Sequence, residues 1–301
     1  MNPQSPNTTA PPTVSIIMSM RDSAATIADA VRSIELQTLK QWELIIIDDG
    51  SVDDGAAIVA GFADPRIRLV REAASAGLAC RLNQAVALCR GEFIARMDAD
   101  DVCFPERLER QVARLAADPS LDLIGCGAVV FAASHGLVGT LPVGLSHEEI
   151  TARPSVGFPL PHPTWCGRAA WFRANPYDER LMKTQDQDLL LRSFAHSRFG
   201  AIEEVMLAYR QDAMSLDKLL KGRRNYAQAL WRRARADGSY LRAIGGVAVH
   251  LARAAVDTAT LPLGLSRAMQ RRRLRPVPAS LLPRWRALER SLWSTPAMEP
   301  A

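Results

Sequence analysis

Short apolar runs alternate with amphipathic stretches along the chain between Thr13 and Tyr209. The apolar runs predict buried β-strands at residues 14–18, 42–47, 67–70 and 93–97. Apolar residues recur at helical spacing between these runs and predict helices at about residues 27–34, 53–62, 78–88 and 105–116. Strands that alternate with helices of about ten residues are typical of β-α-β units. The pattern therefore predicts an α/β fold with a mostly parallel sheet flanked by helices.

Polar side chains follow three of the predicted strands at the point where each strand ends. These side chains are Ser19 and Asp22 after the first strand, Asp48 and Asp49 after the second, and Asp98 and Asp100 after the fourth. Ligands of parallel sheets bind beyond the carboxyl ends of the strands, so we expect these side chains in one crevice. The chain has no glycine-rich dinucleotide loop after the first strand and no P-loop motif. A dinucleotide cofactor and P-loop nucleotide hydrolysis are therefore disfavoured.

Aspartates in such a crevice favour a divalent cation. Carboxylates alone would repel a nucleotide diphosphate, whereas a shared Mg²⁺ or Mn²⁺ ion binds oxygens of both partners. The ion would also neutralise the charge that builds up on a departing diphosphate. A D-x-D pair alone is a weak signal, since most such pairs are solvated turn residues. The position of Asp98-x-Asp100 after an apolar strand, together with Asp48-Asp49 after another, favours the metal site.

Several segments resemble glycosyltransferase family 2 and stand in that family's order and spacing. They are Ser15 to Ile17 (SII), Leu44 to Ser51 (LIIIDDGS) and Gly91 to Asp101 (GEFIARMDADD). The resemblance covers roughly residues 13–210. It implies the GT-A fold, a nucleotide-sugar donor and inversion at the anomeric carbon, and it leaves the C-terminal part of the chain uncovered.

The resemblance also assigns residues to the donor. Ser19 and Asp49 match positions on the nucleoside side, where Asp49 would accept a hydrogen bond from a uracil ring, and Asp22, which follows the first strand, is expected to bind the donor nucleotide too. Asp98 matches the first member of the D-x-D motif, near the ribose and the metal, and Asp100 matches the member that binds the metal on the diphosphate. Residues 77–83 resemble the segment that closes over the nucleotide. Within that segment, Arg81 either contacts a phosphate or is a surface arginine on an amphipathic helix.

Two further segments resemble the acceptor side of the family. Residues 161–164 (PHPT) resemble its His-Pro-Thr/Ser element, so His162 is either an acceptor-side residue or a hydrogen-bonded loop histidine. Residues 185–192 (QDQDLLLR) resemble its acidic motif, which makes Asp186 the general base. Inverting transfer needs one carboxylate to take the proton of the acceptor hydroxyl. Asp188 diverges from Asp186 on a helix, so it either contacts the acceptor or only offsets the helix dipole.

Charge divides the chain into an acidic body and a basic C-terminal part. Residues 1–214 have a net charge of −7, and residues 215–301 have a net charge of +12. Helices are predicted at residues 218–235 and 240–260, and the charged side chains of the second rule out a membrane span. Its polar stripe is Arg242, Gly246, His250, Arg253 and Asp257, and its broad apolar face is Leu241, Ile244, Ala248, Leu251 and Ala255.

The C-terminal part has two interpretations. The apolar face, the arginines at 271–273 and the tryptophans Trp285 and Trp293 favour an interfacial anchor on anionic lipid. The alternative is a pair of helices packed on the catalytic domain, with solvated arginines. The predicted organisation is thus a disordered tail at 1–12 without a signal peptide, a GT-A catalytic domain at 13–214 and a basic helical extension at 215–301.

Composition narrows the class of protein further. The chain is 48% apolar and 23% charged, which is typical of a globular protein and argues against wholesale disorder. The five cysteines form no C-x-x-C pair, so reduced thiols and a cytoplasmic location are expected rather than a disulfide scaffold or a zinc site. Aromatic residues interleaved with arginine are too few to indicate nucleic-acid binding.

The sequence therefore predicts an inverting, metal-dependent glycosyltransferase. It would use Mn²⁺ or Mg²⁺ and move a sugar, from a UDP-sugar, to a hydroxyl of a glycan or polyprenyl-linked acceptor. The resemblance places this activity in bacterial surface polysaccharide biosynthesis, at the inner face of the cell membrane. The alternatives are a nucleotidyltransferase on a similar sheet, which would normally have a basic, glycine-rich phosphate loop, and a non-catalytic module that binds a nucleotide-sugar or a membrane.

Overall fold

The computed structural model describes residues 11–211, 215–260 and 274–293. Nearly all of the predicted N-terminal tail, and the arginine cluster at 271–273, lie outside the described residues. Within the described ranges, no helix combines the length and the hydropathy needed to cross a membrane.

The strands of the described residues belong to one sheet. They are β1 (Val14–Met20), β2 (Trp42–Asp48), β3 (Ile67–Arg71), β4 (Phe93–Arg96), β5 (Val102–Cys103), β6 (Leu123–Phe131), β7 (Leu137–Thr140), β8 (Cys166–Arg168) and β9 (Phe199–Arg210). The order across the sheet is β3-β2-β1-β4-β8-β6-β9-β5, and β7 pairs with β6. Strands β3, β2, β1 and β4 are parallel, and so are β6 and β9, whereas β8 runs antiparallel to both of its neighbours. The predicted mostly parallel α/β sheet is confirmed, with β8 as an inserted antiparallel strand.

Helices cover both faces of this sheet. They are α1 (Ile27–Glu35), α2 (Gly55–Ala60), α3 (Leu78–Leu88), α4 (Arg107–Ala117), α5 (His147–Ile150), α6 (Ala169–Ala174), α7 (Gln185–Ser193), α8 (Leu216–Asp237), α9 (Tyr240–Thr260) and α10 (Leu281–Trp293). Helix α2 begins two residues later than predicted, because the Asp53 carboxylate accepts the backbone N–H groups of Gly55 and Ala24. Helix α4 likewise begins at Arg107, after Pro105 rather than with it.

The core lies in two layers because successive strand residues point to opposite faces. In β1, Ile16 and Met18 join a cluster with helices α1, α2 and α4 on one face. Ile17 joins a second cluster with α3, α6 and α7 on the other face. All seven residues of β2 are buried, as expected for a strand covered on both sides. This packing fixes the carboxyl ends of β1, β2 and β4 beside one another.

All three described helices of the basic extension contribute core residues, α9 through Ala243 alone. Tyr226 and Leu230 of α8 belong to the second cluster, together with residues of α3 and α7. Helix α10 forms a third cluster with the sheet, in which the Trp285 ring centroid lies 5.3 Å from that of Phe131 and 6.5 Å from that of Phe104. Helices α8 and α10 therefore pack on the rest of the protein, as one of the two interpretations of the sequence expected.

The Trp285→Ala variant tests the contribution of α10. We expect it to lower the free energy of unfolding by about 3–5 kcal/mol, because a large buried side chain is lost and a cavity remains. Urea denaturation measures the change. Trp231→Ala is the control, since the Trp231 residue is 38% exposed. An equal loss in both variants would show that α10 does not stabilise the sheet.

Helix α9 turns part of its polar stripe inward, whereas Arg242 and Arg253 of that stripe are exposed. Its buried residues include Gly246, His250 and Asp257. Asp257 accepts a hydrogen bond from Arg223 Nε of α8 at 2.7 Å. A Cβ at position 246 would lie 2.6 Å from the Leu230 side chain, so the glycine permits the close approach of α8 and α9. The apolar face points away from the body, where Leu241 is 88% exposed.

Candidate active site

A cleft of about 640 Å³ opens at the carboxyl ends of β1, β2 and β4. Five of the residues predicted for the donor or the metal line it, namely Ser19, Asp22, Asp49, Asp98 and Asp100. Thr26, Met182, Lys183 and Arg210 complete much of the remaining wall. The fold thus brings together predicted side chains that lie up to 81 positions apart in the sequence, because parallel strands end at the same edge.

Three carboxylates cluster after the end of β4, and two of them, Asp98 and Asp100, line the cleft. Oxygen atoms of Asp98, Asp100 and Asp101 all lie within 4.8 Å of one another, which is close enough to hold one metal ion. Burial and the neighbouring Asp98 carboxylate raise the pKa of Asp100. Burial and the charges of Asp98 and Asp100 raise the pKa of Asp101 still more clearly.

The donor set of these three residues fits a divalent cation. Asp101 is fully buried, and its Oδ1 accepts the backbone N–H of Arg210 at 2.9 Å. Its Oδ2 has no hydrogen-bond partner among the residues that the structure describes. A buried oxygen without a donor, beside two further carboxylates, is the environment that Mg²⁺ or Mn²⁺ would satisfy.

Arg96 organises the floor of the cleft, and the sequence prediction gave it no role. The residue is 2% exposed and donates to both carboxylate oxygens of Asp98, with 2.7 Å from NH1 to Oδ2. Its charge also offsets part of the rise that burial causes in the pKa of Asp186, and it adds to the effect of burial in lowering the pKa of His162. The available sequence signal was an arginine inside an otherwise apolar strand, two residues before Asp98.

Asp49 is held by a shell of donors. Its Oδ1 accepts from the Ala76 N–H and from Arg81 Nε, both at 2.7 Å. Its Oδ2 accepts from Ser75 Oγ at 2.7 Å and from the Gly77 N–H at 3.0 Å. Burial alone would raise the pKa of Asp49, but these hydrogen bonds outweigh it, so the pKa is lowered. Asp49 is therefore a rigid, ionised acceptor at the edge of the cleft.

Arg81 lies behind Asp49 and not in the cleft. Besides Asp49, its guanidinium donates to the Ala74 carbonyl at 2.6 Å and to Gln84 Oε1 at 3.1 Å. The side chain is 8% exposed, so it is not a surface arginine either. This position differs from both expectations, because Asp49, Gln84 and the Ala74 carbonyl between them accept from all three guanidinium nitrogens of Arg81.

Asp22 links the loops that follow β1 and β2 by hydrogen bonds. Its backbone has a φ of +49°, a left-handed conformation that aspartate tolerates better than most residues. Its Oδ1 accepts the Val52 N–H at 2.9 Å, and its own N–H donates to Ser51 Oγ at 3.0 Å. Asp48 is buried and accepts the Ser51 N–H at 2.9 Å, so it shapes the same turn rather than lining the cleft.

The side chains of Asp186 and Asp188, at the start of α7, lie in different surroundings. Burial raises the pKa of Asp186, and hydrogen bonds from Gln187 and the charge of Arg96 offset part of that rise. Both oxygens of Asp188 are engaged, by Arg192 Nε at 2.8 Å and by an Arg232 nitrogen of α8 at 3.1 Å. The carboxylate of Asp188 is thus committed to two arginines, an arrangement that neither sequence interpretation anticipated.

His162 lies in a 3₁₀ turn at residues 162–164 and is buried. Its Nε2 lies 2.8 Å from the Tyr177 hydroxyl, and its ring meets Trp165 edge to face at 4.6 Å between centroids. Burial, and then the charge of Arg96, holds the pKa of His162 well below its usual value, so the ring is neutral. This geometry matches the hydrogen-bonded loop histidine that the sequence left open.

Comparisons with known proteins agree with this architecture. The model of glycosyl transferase family 2 matches residues 15–176. "Putative glycosyltransferase EpsE" of Bacillus subtilis is 34% identical over 211 residues, which are 67% of this chain and 74% of that protein. The UDP-Glc:alpha-D-GlcNAc-diphosphoundecaprenol beta-1,3-glucosyltransferase WfgD of Escherichia coli is 36% identical over 102 residues, 34% of this chain and 40% of that protein.

Solved structures share the fold at low sequence identity. Residues 1–349 of TarS from S. aureus, in complex with UDP, align with a TM-score of 0.61 and 17% identity over 93% of this chain and 80% of that one. The mannosyltransferase PcManGT from Pyrobaculum calidifontis, in complex with GDP-Man and Mn²⁺, aligns with a TM-score of 0.57 and 19% identity over 97% and 92%. The fold is that of GT-A glycosyltransferases, and with the match over residues 15–176 the chain belongs to glycosyltransferase family 2.

Proposed function

We propose that the protein transfers a sugar from a UDP-sugar to a hydroxyl of a glycan or lipid-linked acceptor, with inversion and with a divalent cation. The observation that carries the proposal is the cleft in which Ser19 and Asp49 face the carboxylates of Asp98, Asp100 and Asp101. The UDP in the TarS complex and the UDP-Glc in the name of WfgD support the choice of nucleotide.

The nucleoside end of the donor would bind where β1 and β2 end. Ser19, Asp22 and Asp49 line this part of the cleft. Both oxygens of Asp49 already accept hydrogen bonds, so a uracil N–H would replace the Ser75 hydroxyl as one of its donors. Arg21 NH1 lies 2.8 Å from the same hydroxyl and can keep Ser75 as a partner after that exchange.

The diphosphate end would lie over the three carboxylates. Asp100 and Asp101 offer oxygens to a cation, while Arg96 fixes Asp98 beside them. A cation bound there supplies positive charge against the leaving diphosphate. Arg210 lines the same wall, and its Nε donates to the Asp100 carbonyl at 2.8 Å, which holds the turn in place.

Asp186 is the proposed general base. It takes the proton of the acceptor hydroxyl as that oxygen bonds to the anomeric carbon, and the bond from that carbon to the diphosphate oxygen breaks on the opposite face. The charge of Arg96 favours the ionised, proton-accepting form of Asp186. Asp188 acts as a positioning residue, because its ion pairs with Arg192 and Arg232 hold the start of α7.

The experiment that tests this function measures UDP release from a panel of UDP-sugars and GDP-sugars, with Mn²⁺, Mg²⁺ or EDTA. We expect release from a UDP-sugar, stimulated by an acceptor and abolished by EDTA. Absence of UDP binding in calorimetry, in the presence of either metal, would contradict the proposal.

The outward face of α9 supports the further part of the proposal, that the protein docks on an anionic membrane. Leu241, Ile244, Leu251 and Val256 are exposed large apolar residues on one helix. The surrounding 215–301 part carries a net charge of +12. Anionic headgroups attract each basic residue near the surface by about 1 kcal/mol, and the apolar face adds insertion.

A double variant, Leu241→Asp with Leu251→Asp, tests the membrane surface. We expect sedimentation with phosphatidylglycerol-rich vesicles at low salt to fall strongly, because the apolar face gains two negative charges. Point changes are preferable to removal of everything after Gln211, since Tyr226 and Leu230 of α8 are core residues.

The matched control is Leu282→Asp on α10, where Leu282 is 42% exposed but lies on another helix. It should sediment like the unaltered protein. Failure of the unaltered protein to bind such vesicles at low salt would contradict membrane docking, as would equal binding by the double variant.

A further inference from the structure

A second recess lies beside the start of α7, outside the donor cleft. It has a volume of about 250 Å³, and residues of α8 and α9 form much of its wall. A neighbouring recess of about 540 Å³ continues from it, and Val156, Gly157 and Gln187 line both. The two recesses together form what we call the extension groove. Most of its length lies where the basic extension meets residues 152–159.

The extension groove begins next to the proposed base. Gln187 lines it, and the Gln187 amide donates to Asp186 Oδ2 at 3.3 Å. The same side chain exchanges hydrogen bonds with the backbone of Phe158, at 2.8 Å and 3.3 Å, which fixes the wall. Lys183 lines the donor cleft and Thr184 lines the groove, so the two spaces meet at adjacent residues.

The chemistry of the groove is mostly apolar, with cations along it. Val156 and Leu219 line the first recess, and Pro142 and Phe158 line the second. Lys218 lines the first recess and Arg153 the second, and both residues are exposed. A long apolar chain with an anionic group at one end is complementary to such a surface.

His250 gives the groove a buried polar side chain, whose ring meets Tyr226 edge to face. The residue is 7% exposed and lines the first recess. Neither ring nitrogen makes a hydrogen bond within the described part of the chain. Burial, and then the positive charges of Arg253 and Arg223, lower the pKa of His250, so the ring is neutral and can donate one hydrogen bond. An unsatisfied buried histidine in a recess favours a polar ligand group beside it.

We propose that the extension groove binds the polyprenyl diphosphate part of a lipid-linked acceptor and so presents the acceptor's sugar to Asp186. This assignment rests on the proposed function, in which Asp186 is the general base. The diphosphate lies near Lys218 and His250, and the apolar chain runs past Val156 and Phe158. Helix α9 forms one wall with its inner side and carries the exposed apolar face on its outer side, so the groove opens beside the proposed membrane surface.

The test uses farnesyl diphosphate, a short water-soluble polyprenyl diphosphate, as the probe. Full-length protein is first saturated with UDP and Mn²⁺ so that the donor cleft cannot take the probe, and binding is then measured by calorimetry. Gly222→Phe is expected to fill the first recess, because Gly222 and Thr184 both line it and a side chain at position 222 points toward Thr184. Gly222→Ala is the control, since its Cβ would lie 3.7 Å from Thr184 Cγ2, an ordinary contact.

We expect the unaltered protein and Gly222→Ala to bind the probe alike, and Gly222→Phe to bind at least about tenfold more weakly. Lys218→Gln should weaken binding severalfold. Lys221→Gln should not, because Lys221 pairs with Asp217 at 2.8 Å and does not line the groove. Farnesol and inorganic diphosphate should each bind more weakly than the probe, since farnesol lacks the diphosphate and inorganic diphosphate lacks the apolar chain.

Three outcomes would overturn the proposal. The first is no binding of farnesyl diphosphate to UDP-saturated protein, and the second is equal binding by Gly222→Phe and Gly222→Ala. The third is binding of inorganic diphosphate as tightly as the probe, which would indicate an anion site without a lipid groove. UDP affinity is measured in every variant, so loss of UDP binding in the unaltered protein would count against the proposed function instead.

Discussion

Turnover is expected to fall below detection when Asp100 is replaced by asparagine. The oxygens of Asp98, Asp100 and Asp101 share one small volume, and Arg96 already neutralises Asp98. Asparagine keeps the shape but removes a charge that attracts a divalent cation. We expect kcat to fall by more than about 10³-fold, and UDP affinity in Mn²⁺ by at least about tenfold, in UDP-release and calorimetric measurements.

The control for this variant is Asp217→Asn. The Asp217 side chain is 67% exposed on α8 and does not line the cleft, so its loss should change neither quantity. In EDTA, the UDP affinity of the unaltered protein should fall to that of Asp100→Asn in Mn²⁺. Full turnover of Asp100→Asn, or of the unaltered protein in EDTA, would show that transfer needs no cation at these carboxylates.

Asp186→Asn is expected to lower kcat by about 10²-fold or more while leaving UDP affinity nearly unchanged. Asparagine fits the same space at the start of α7 but cannot accept the proton of the acceptor hydroxyl. Burial raises the pKa of Asp186. As the pH falls, this base therefore becomes protonated and inactive earlier than an ordinary aspartate does. The acid limb of the kcat profile should therefore lie at a higher pH than an unperturbed aspartate would give, and it should disappear in the variant.

The Asp188→Asn variant distinguishes the role of Asp188 from that of Asp186 on the same helix. It weakens the ion pairs with Arg192 and Arg232, so we expect a lower melting temperature and a much smaller effect on kcat. The assignment of the base is wrong if Asp186→Asn loses UDP binding while Asp188→Asn alone abolishes turnover.

The sequence predicts the first half of the sheet and its edge well, because both depend on local pattern. Apolar runs such as Leu44–Ile47 can be buried only as strands between helices, and β1 to β4 lie where these runs occur. The aspartates that follow them reach the same edge because parallel strands end together. The cleft with Asp49, Asp98 and Asp100 follows from that geometry.

Contacts between distant segments could not be predicted in the same way. The helical pattern of α3 places Arg81 on a face, but not behind Asp49, because that contact depends on the path of residues 72–77. The pattern of α9 separates a polar stripe from an apolar face. It does not indicate that Arg223 of α8 would turn the stripe inward through Asp257. Periodicity thus reports which residues share a face, and tertiary packing decides what that face meets.

The ion pair between Asp188 and Arg232 determines where this chain can be joined to a segment of a relative. A chimaera joined at residue 214 would replace Arg232 and leave Asp188, a buried carboxylate, with Arg192 as its remaining ion-pair partner among the described residues. The start of α7 would then shift although no residue of the donor cleft had changed. A junction before Thr184 would instead move α7 and α8 together with their ion pairs. A segment exchanged with a relative should therefore begin before Thr184, ahead of strand β9. It should not begin at residue 214, where the net charge of the chain changes from negative to positive.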